Sequence, residues 1–426
     1  MTRQLTRTFH GTVLMIALVV FVGCSSAGTD GGDSGGDSDL PLYENYITLL
    51  ADDGVASDDF GSGLAMTSEF ILVGASDDGD NGIESGSVYA FEPDQSGEWT
   101  QVQKFSAPDG EAVEYFGSRI ILAGDQVLIN GEESDINSIH VFEQDGSGDW
   151  VEVQEIPAPT GIGSFESFGF DIAVDGDIAL FGAYDDDTDA NDSGSVYVFE
   201  RDGSGVWTES QKISNPNPEA FSYFGGSIAL SGDWALVGAT QDPDGASTGV
   251  VYAYERGSGG TWSLSQTIVA PDQEDYDGFG AVAIEGDTAL IGKSGDSTLG
   301  SSAGRVYVYV RDGTGTWQNT DDFAAADTEA TDYFGSDIAM KDGTAIVYSS
   351  GAGDFALGLS SAVYVFEEQT DGTWSEVAKI NQPYDPTGFN RFASDWSIGD
   401  GVIAIGATDA SNDSDVETGA AFVFTR

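Results

Sequence analysis

The chain has 426 residues, 73 of them Asp or Glu and 14 Lys or Arg, which gives a formal charge of −59 at pH 7. Nucleic acid is excluded as a partner, because phosphate contacts need clustered cations, and anionic membrane surfaces repel such a chain. Acids scattered through every segment destabilise the compact state by self-repulsion unless salt screens them, so the composition favours a surface adapted to high salt over the competing reading, a cation-binding face.

Residues 1–23 place Arg3, Arg7 and His10 ahead of the apolar run Val13 to Val22, the charged and apolar regions of a secretory signal and too short for a spanning helix. Cys24, the only cysteine, follows Phe21-Val22-Gly23 and precedes Ser25-Ser26-Ala27, which resembles a bacterial lipobox. The resemblance implies that Cys24 becomes a lipidated N-terminus and anchors the protein to the cell envelope. The stretch Gly28 to Asp39 (GTDGGDSGGDSD) has no apolar residue and is predicted to be a disordered tether. The organisation read from the sequence is therefore a signal at 1–23, a tether at 24–41 and a folded domain at 42–426. With no disulfide available inside a monomer, that domain must be held by packing, for which 40% apolar residues suffice.

The folded part repeats. Trp99, Trp150, Trp207, Trp262, Trp317 and Trp374 stand 51 to 57 residues apart, and a Phe-Gly or Phe-Ala pair follows each by 17 or 18 residues. That column begins at Phe60-Gly61, continues through Phe116, Phe168, Phe224, Phe279 and Phe334, and ends at Phe392-Ala393, which makes seven units. Each unit reads as a short apolar strand, a Gly/Asp turn, a second apolar strand, a longer polar loop, an alternating strand such as Ser195 to Phe199, a Gly/Ser/Asp turn and the Trp-led strand. Four antiparallel strands per unit without helical periodicity predict an all-β fold, a seven-bladed β-propeller of four-stranded blades. Tyr43 to Gly61 aligns without a gap to Trp99 to Gly117, so the chain opens with a fourth strand, whereas the seventh unit stops after its third. The N-terminal strand is thus predicted to complete the last blade.

At these columns the sequence resembles the FG-GAP repeat proteins, whose best-known members are the propeller heads of integrin α subunits, and it looks most like the bacterial branch. The resemblance rests on Phe-Gly, the Gly-Asp turn, ends such as Val73-Gly74-Ala75 and Val237-Gly238-Ala239, the Gly-Ser-Val-Tyr-Val-Phe strand and the Trp strand. It implies a cell-surface or secreted scaffold with no defined reaction. Integrin-type blades carry a calcium loop between their first two strands. Here that place holds only turns such as Asp175-Gly176-Asp177, so the family's calcium position is not carried over.

Strand parity puts the long loops, from strand two to three and from strand four to the next strand one, on one side of the ring, where variable function is expected. Some of these loops space carboxylates at alternate positions: Asp78 and Asp80; Asp185, Asp187 and Asp189; Asp413 and Asp415. Hard oxygen ligands so spaced are candidate Ca²⁺ ligands, and Ca²⁺ is the one cofactor the sequence points to, although none of these loops completes an EF-hand and a solvated acidic loop is the alternative. Phe165, Phe221 and Tyr276 are candidate ligand contacts, because they lie outside the repeated columns in the four-to-one loops. Column aromatics are expected to be core. His140 stands in the column filled elsewhere by Tyr89, Tyr197 and Tyr252 and is read as a packing residue, so no Ser-His-Asp or Cys-His chemistry is expected.

Three functions follow. The leading one is a lipid-anchored, monomeric envelope propeller that acts as a protein- or glycan-binding scaffold, without catalysis; its partners are an envelope protein or glycan, and the membrane through Cys24. The alternatives are a surface carbohydrate- or ester-active enzyme using loop carboxylates, and a structural envelope component.

Overall fold

The computed structural model describes residues 43, 45–80, 82–107, 115–132, 137–159, 167–240, 248–273, 277–352, 361–381, 383, 391–399, 401–408, 410 and 418–426. Leu40–Arg426 is one compact unit, and its described residues form 28 strands in seven four-stranded antiparallel sheets. Blade 1 consists of Phe60–Met66, Ile71–Ala75, Ser87–Pro93 and Trp99–Phe105, and blade 3 of Ile172–Asp175, Ile178–Ala183, Ser195–Arg201 and Trp207–Ser214. In blade 7, Phe392–Gly399, Val402–Ala407 and Ala420–Thr425 are completed by Asn45–Leu49, with Asn45 opposite Thr425 and Leu49 opposite Ala421. The expected seven-bladed ring, closed by the first strand of the chain, is the observed fold.

The core lies between blades. Phe60, Phe116, Phe168, Phe224, Phe279 and Phe334 have no exposed surface and Phe392 has 1%, and burial of such a ring stabilises by about 1.5–3 kcal/mol. Around Phe60 the cluster joins Leu64 and Tyr89 of blade 1 to Ala404, Ala421 and Val423 of blade 7, so the closing seam is packed like the others.

The glycine that ends strand two has a steric cause. A Cβ on Gly182 would overlap the carbonyl oxygen of Gly225, and the same contact pairs Gly74 with Gly117, Gly238 with Gly280, Gly292 with Gly335 and Gly406 with Gly61. Each blade's second strand thus touches the next blade's Phe-Gly backbone, and the last pair closes the ring. Two seams solve the problem otherwise. Asn130 replaces the glycine in blade 2 and donates from Nδ2 to the Gly169 oxygen at 3.2 Å. In blade 6 the residue is Tyr348, whose ring lies 5.5 Å from that of Trp396, and there the partner pair is Phe392-Ala393.

The Trp column is also core: Trp150, Trp207, Trp262, Trp317 and Trp374 are buried. On the outer strands a glutamine clasps the next tryptophan's backbone. Gln154 accepts from the Trp207 amide at 2.8 Å and donates to its carbonyl at 2.7 Å, and Gln103, Gln211 and Gln266 do the same for Trp150, Trp262 and Trp317. His140 is a packed ring: it is buried, meets Phe116 edge-on at 5.4 Å, and bonds Glu152 through Nδ1 at 2.7 Å.

Candidate binding face

The described parts of the long loops share one side of the ring, and backbone hydrogen bonds lace some of them together across blades. Phe221, Tyr223 and Phe224, entering blade 4, donate to the carbonyls of Asn191, Asp192 and Ser193 in the two-to-three loop of blade 3. Thr331, Tyr333 and Phe334 repeat the pattern on Ser301, Ser302 and Ala303. This lacing requires left-handed backbone, seen at Phe221 (φ 66°), Tyr223 (φ 53°), Thr331 (φ 71°) and Tyr333 (φ 53°).

Four of the chain's five lysines lie under this face, each in a cluster with a tyrosine and at least one aspartate, which is buried in blades 1, 3 and 5 and exposed in blade 6. In blade 3, Asp186 is wholly buried; its carboxylate accepts from the Tyr197 hydroxyl at 2.9 Å, Lys212 Nζ at 2.8 Å and the Thr188 amide at 2.8 Å. Burial pushes the Asp186 carboxyl up, but Lys212, Thr188 and Tyr197 outweigh it and hold the group down at about 2. In blade 1, Lys104 lies 2.8 Å from both Asp53 and Asp78 and 2.6 Å from Asp80, 5.1 Å from the Tyr89 ring centre. In blade 6, Lys379 pairs with Asp327 at 2.7 Å, and Tyr364 donates to the same carboxylate at 2.9 Å. Blade 5 puts Asp322 at the outer-strand lysine position, where it pairs with Arg305; the ammonium comes instead from buried Lys293 on strand two, 3.0 Å from Asp272 and Asp277 and 3.2 Å from Asp296.

The predicted metal carboxylates are therefore placed as follows. Asp78 is buried against Lys104 and Tyr89, and Asp80 is an exposed partner of the same lysine. Asp185 accepts from the Ser167 amide at 2.7 Å and hydroxyl at 3.1 Å, Asp187 accepts from the Asp192 amide at 2.6 Å, and Asp189 is exposed. Among the described residues, no group of three His, Cys, Asp or Glu side chains is arranged to hold a metal ion. Cys24, Phe165, Tyr276, Asp413 and Asp415 lie outside the described residues. Sequence reasoning missed Asp186, the residue between two chosen carboxylates: the turning loop sends Asp186 inward and leaves Asp187 and Asp189 outside.

Phe221, by contrast, lies on the surface. It is 48% exposed and belongs to a run of rings on the face: Phe170 meets Tyr184 at 4.6 Å, Tyr184 meets Tyr223 at 5.7 Å, and Tyr223 meets Phe221 at 6.5 Å. Phe170 is 45% exposed. Where Phe170 stands, other repeats have Ser62, Ser118, Ser336 and Ser394; where Tyr184 stands, they have Ser76, Thr240, Ser294 and Thr408. Burial raises the Asp185 carboxyl despite its bonds to Ser167, with Asp192 adding repulsion.

A second cluster lies on the axis, built in four of the seven blades by the third residue after the Phe of the Phe-Gly column. Arg119 of blade 2 lies 3.4 Å from Asp171 of blade 3 and also feels Asp337 of blade 6 and Asp395 of blade 7, which only the ring's centre can bring together. Asp171 accepts from the Ile172 amide at 3.0 Å and the Ile228 amide at 2.6 Å, and Asp395 from the Leu64 amide at 2.7 Å. Enclosure by the ring pushes Asp337 up to about 7, reinforced by Asp171 and opposed by Arg119, and pushes Asp395 up to about 6.

These features define an all-β propeller with a laced loop face and, beneath it, aspartates gathered around single lysines. The chain contains FG-GAP repeats: the FG-GAP repeat model matches residues 44–91, 150–199, 207–254 and 262–309. Each match starts at an outer strand and runs through three strands of the next blade, so the sequence repeat is offset from the blade by one strand. That offset is why the ring closes with a borrowed strand. No curated protein matches the sequence. Among solved structures, a protein of Lactobacillus plantarum is 16% identical with a TM-score of 0.52, over 84% of this chain and 99% of that one. A periplasmic gluconolactonase of Pseudomonas aeruginosa is 14% identical with a TM-score of 0.51, over 76% and 86%. Both show likeness of fold.

Proposed function

We propose that this protein is an exported, lipid-anchored propeller whose loop face is a binding scaffold for an envelope protein or glycan, with no reaction of its own. In this reading residues 1–23 are the signal, Cys24 carries the lipid, 24–41 are the tether and 42–426 the propeller, and the acidic surface is adapted to salt. The observation that carries it is the aromatic run Phe170, Tyr184, Tyr223 and Phe221, exposed at its two phenylalanines, on a face whose backbone is cross-laced. A rigid scaffold that presents side chains the fold does not require is the expected build of a recognition surface.

The second reading, a hydrolase acting on a sugar ester or glycoside, draws on Asp337 and Asp395, whose raised carboxyls suit proton transfer near neutral pH, and on the gluconolactonase among the proteins of similar fold. Capture of envelope material by the full chain, run beside turnover of lactone, ester and glycan substrates, separates the readings. Retained material without turnover supports the scaffold; turnover abolished by Asp337→Asn overturns it.

A further inference from the structure

The aromatic run on the loop face has a chemistry that narrows its ligand. Its four rings are contiguous, two of them nearly half exposed, and they step across the face at 4.6 to 6.5 Å with planes inclined by 54° to 70°. Three of them are not demanded by the fold, because serine or threonine fills the Phe170, Tyr184 and Phe221 positions in other blades, Phe221 matching Ser57 and Thr331, while Tyr223 recurs as Tyr115 and Tyr333. The backbone under them is fixed by the bonds from Phe221 and Tyr223 to Asn191 and Asp192.

The polar groups beside the rings are chiefly acceptors. Asp185 and Asp192 lie close enough to Tyr223 to raise its hydroxyl, a shift led by burial, and Asp187 receives the Asp192 amide. A carboxylate that already accepts one or two bonds keeps lone pairs for more. Such a rim repels anions and calls for a ligand rich in donors. An ammonium is the obvious donor, but this chain shows how it holds ammonium ions: in blades 1, 3 and 6 the tyrosine hydroxyl is clasped to the carboxylate that takes the lysine, as in Tyr197–Asp186–Lys212. On the aromatic run, among the described residues, neither Tyr184 nor Tyr223 is clasped to an aspartate in this way. What remains is a stepped apolar surface with acceptors along its edge, the complement of a polyol ring that offers C–H faces to aromatics and hydroxyls to carboxylates.

We infer that Phe170, Tyr184, Tyr223 and Phe221 form the platform for an uncharged saccharide chain, whose sugar faces stack on the rings and whose hydroxyls donate to Asp185 and Asp192. The inference rests on the reading of this face as a binding surface and names its ligand class.

The test is calorimetric titration of the full-length chain in high salt with cellohexaose, maltohexaose, laminarihexaose and mannohexaose, with hexagalacturonate and hexalysine as charged comparisons. Phe170→Ser and Phe221→Thr borrow residues from the chain's own repeats, so they keep the fold, and an unchanged melting temperature checks this. Saturable binding of at least one neutral hexasaccharide, weakened tenfold or more by each variant and absent for hexagalacturonate, is expected. Equal binding by variants and wild type overturns the site. Binding of hexalysine alone, lost in the variants, overturns the saccharide and leaves the face a protein-binding scaffold. No binding of any probe overturns the inference, while envelope capture judges the scaffold separately.

Discussion

Replacing Asp186 isolates the electrostatic layer under the loop face. Its carboxylate is wholly buried, takes Lys212, Tyr197 and the Thr188 amide, and titrates at about 2 instead of 3.8. At about 1.4 kcal/mol per pKa unit, this depression corresponds to roughly 2 kcal/mol of stability at neutral pH. The sign follows from the folded state's weaker hold on the proton: the stabilisation is complete above about pH 5 and fades as pH falls from the unfolded value towards 2. Asp186→Ala also strands the Lys212 ammonium, and breaking a buried pair costs about 3–5 kcal/mol. Because the Lys212 side chain is 27% exposed and can turn to water, the lower end, about 3 kcal/mol, is expected. Asp186→Asn keeps the shape and some bonds and should cost about 2 kcal/mol. Denaturant unfolding followed by tryptophan fluorescence, from pH 7 to pH 3, measures both variants. The Asn penalty should shrink steadily below pH 5. A penalty independent of pH, or an Ala variant within about 1 kcal/mol of wild type, would refute the reasoning.

Three further outcomes are expected. Gly182→Ala drives a Cβ into the Gly225 carbonyl across a blade seam, so it should lower stability by about 3 kcal/mol or more in the same unfolding assay, against under about 1 kcal/mol for Gly203→Ala in an open turn. Asp337, raised to about 7, binds its proton more tightly folded than unfolded, so its contribution is present at low pH and is lost as pH rises through 7. Asp337→Asn should therefore flatten the fall in stability between pH 4 and 7 and gain about 1 kcal/mol at pH 8, the shift being discounted for water along the axis. Calcium remains a proposal for the loops: titration into chelator-stripped protein in high salt should give a saturable heat and a raised melting temperature, both weakened by Asp187→Ala if the loop at Asp185 to Asp189 is the site.

The ring was legible because its determinants repeat. Buried Phe and Trp columns, hairpin turns and an unpaired first strand are one-dimensional signals, and closure followed from counting strands. The lysine clusters were less visible, since Asp186 and Lys212 meet only across three strands; yet Lys104, Lys212 and Lys379 share one column opposite a tyrosine column, a signal that aligned repeats contain. Alternate spacing hid the buried carboxylate for a physical reason. In a strand, residues two apart share a face, but the loop after Ala183 turns, and it is Asp186 that enters the core. The aromatic run could have been found from departures, Phe170 among serines and Tyr184 among serines and threonines. The axial group, Arg119 with Asp171, Asp337 and Asp395, needs the ring itself, because residues 52 to 276 positions apart converge only at its centre.

The central claim is that the loop face is the occupied side of this propeller. Covalent footprinting of tyrosines, on the protein in its native envelope and after purification, tests it most directly. The account predicts protection of Tyr184, Tyr223 and Tyr333 in the envelope, released on purification, with Tyr46 on the outer rim labelled equally in both. Equal labelling of all four would contradict it.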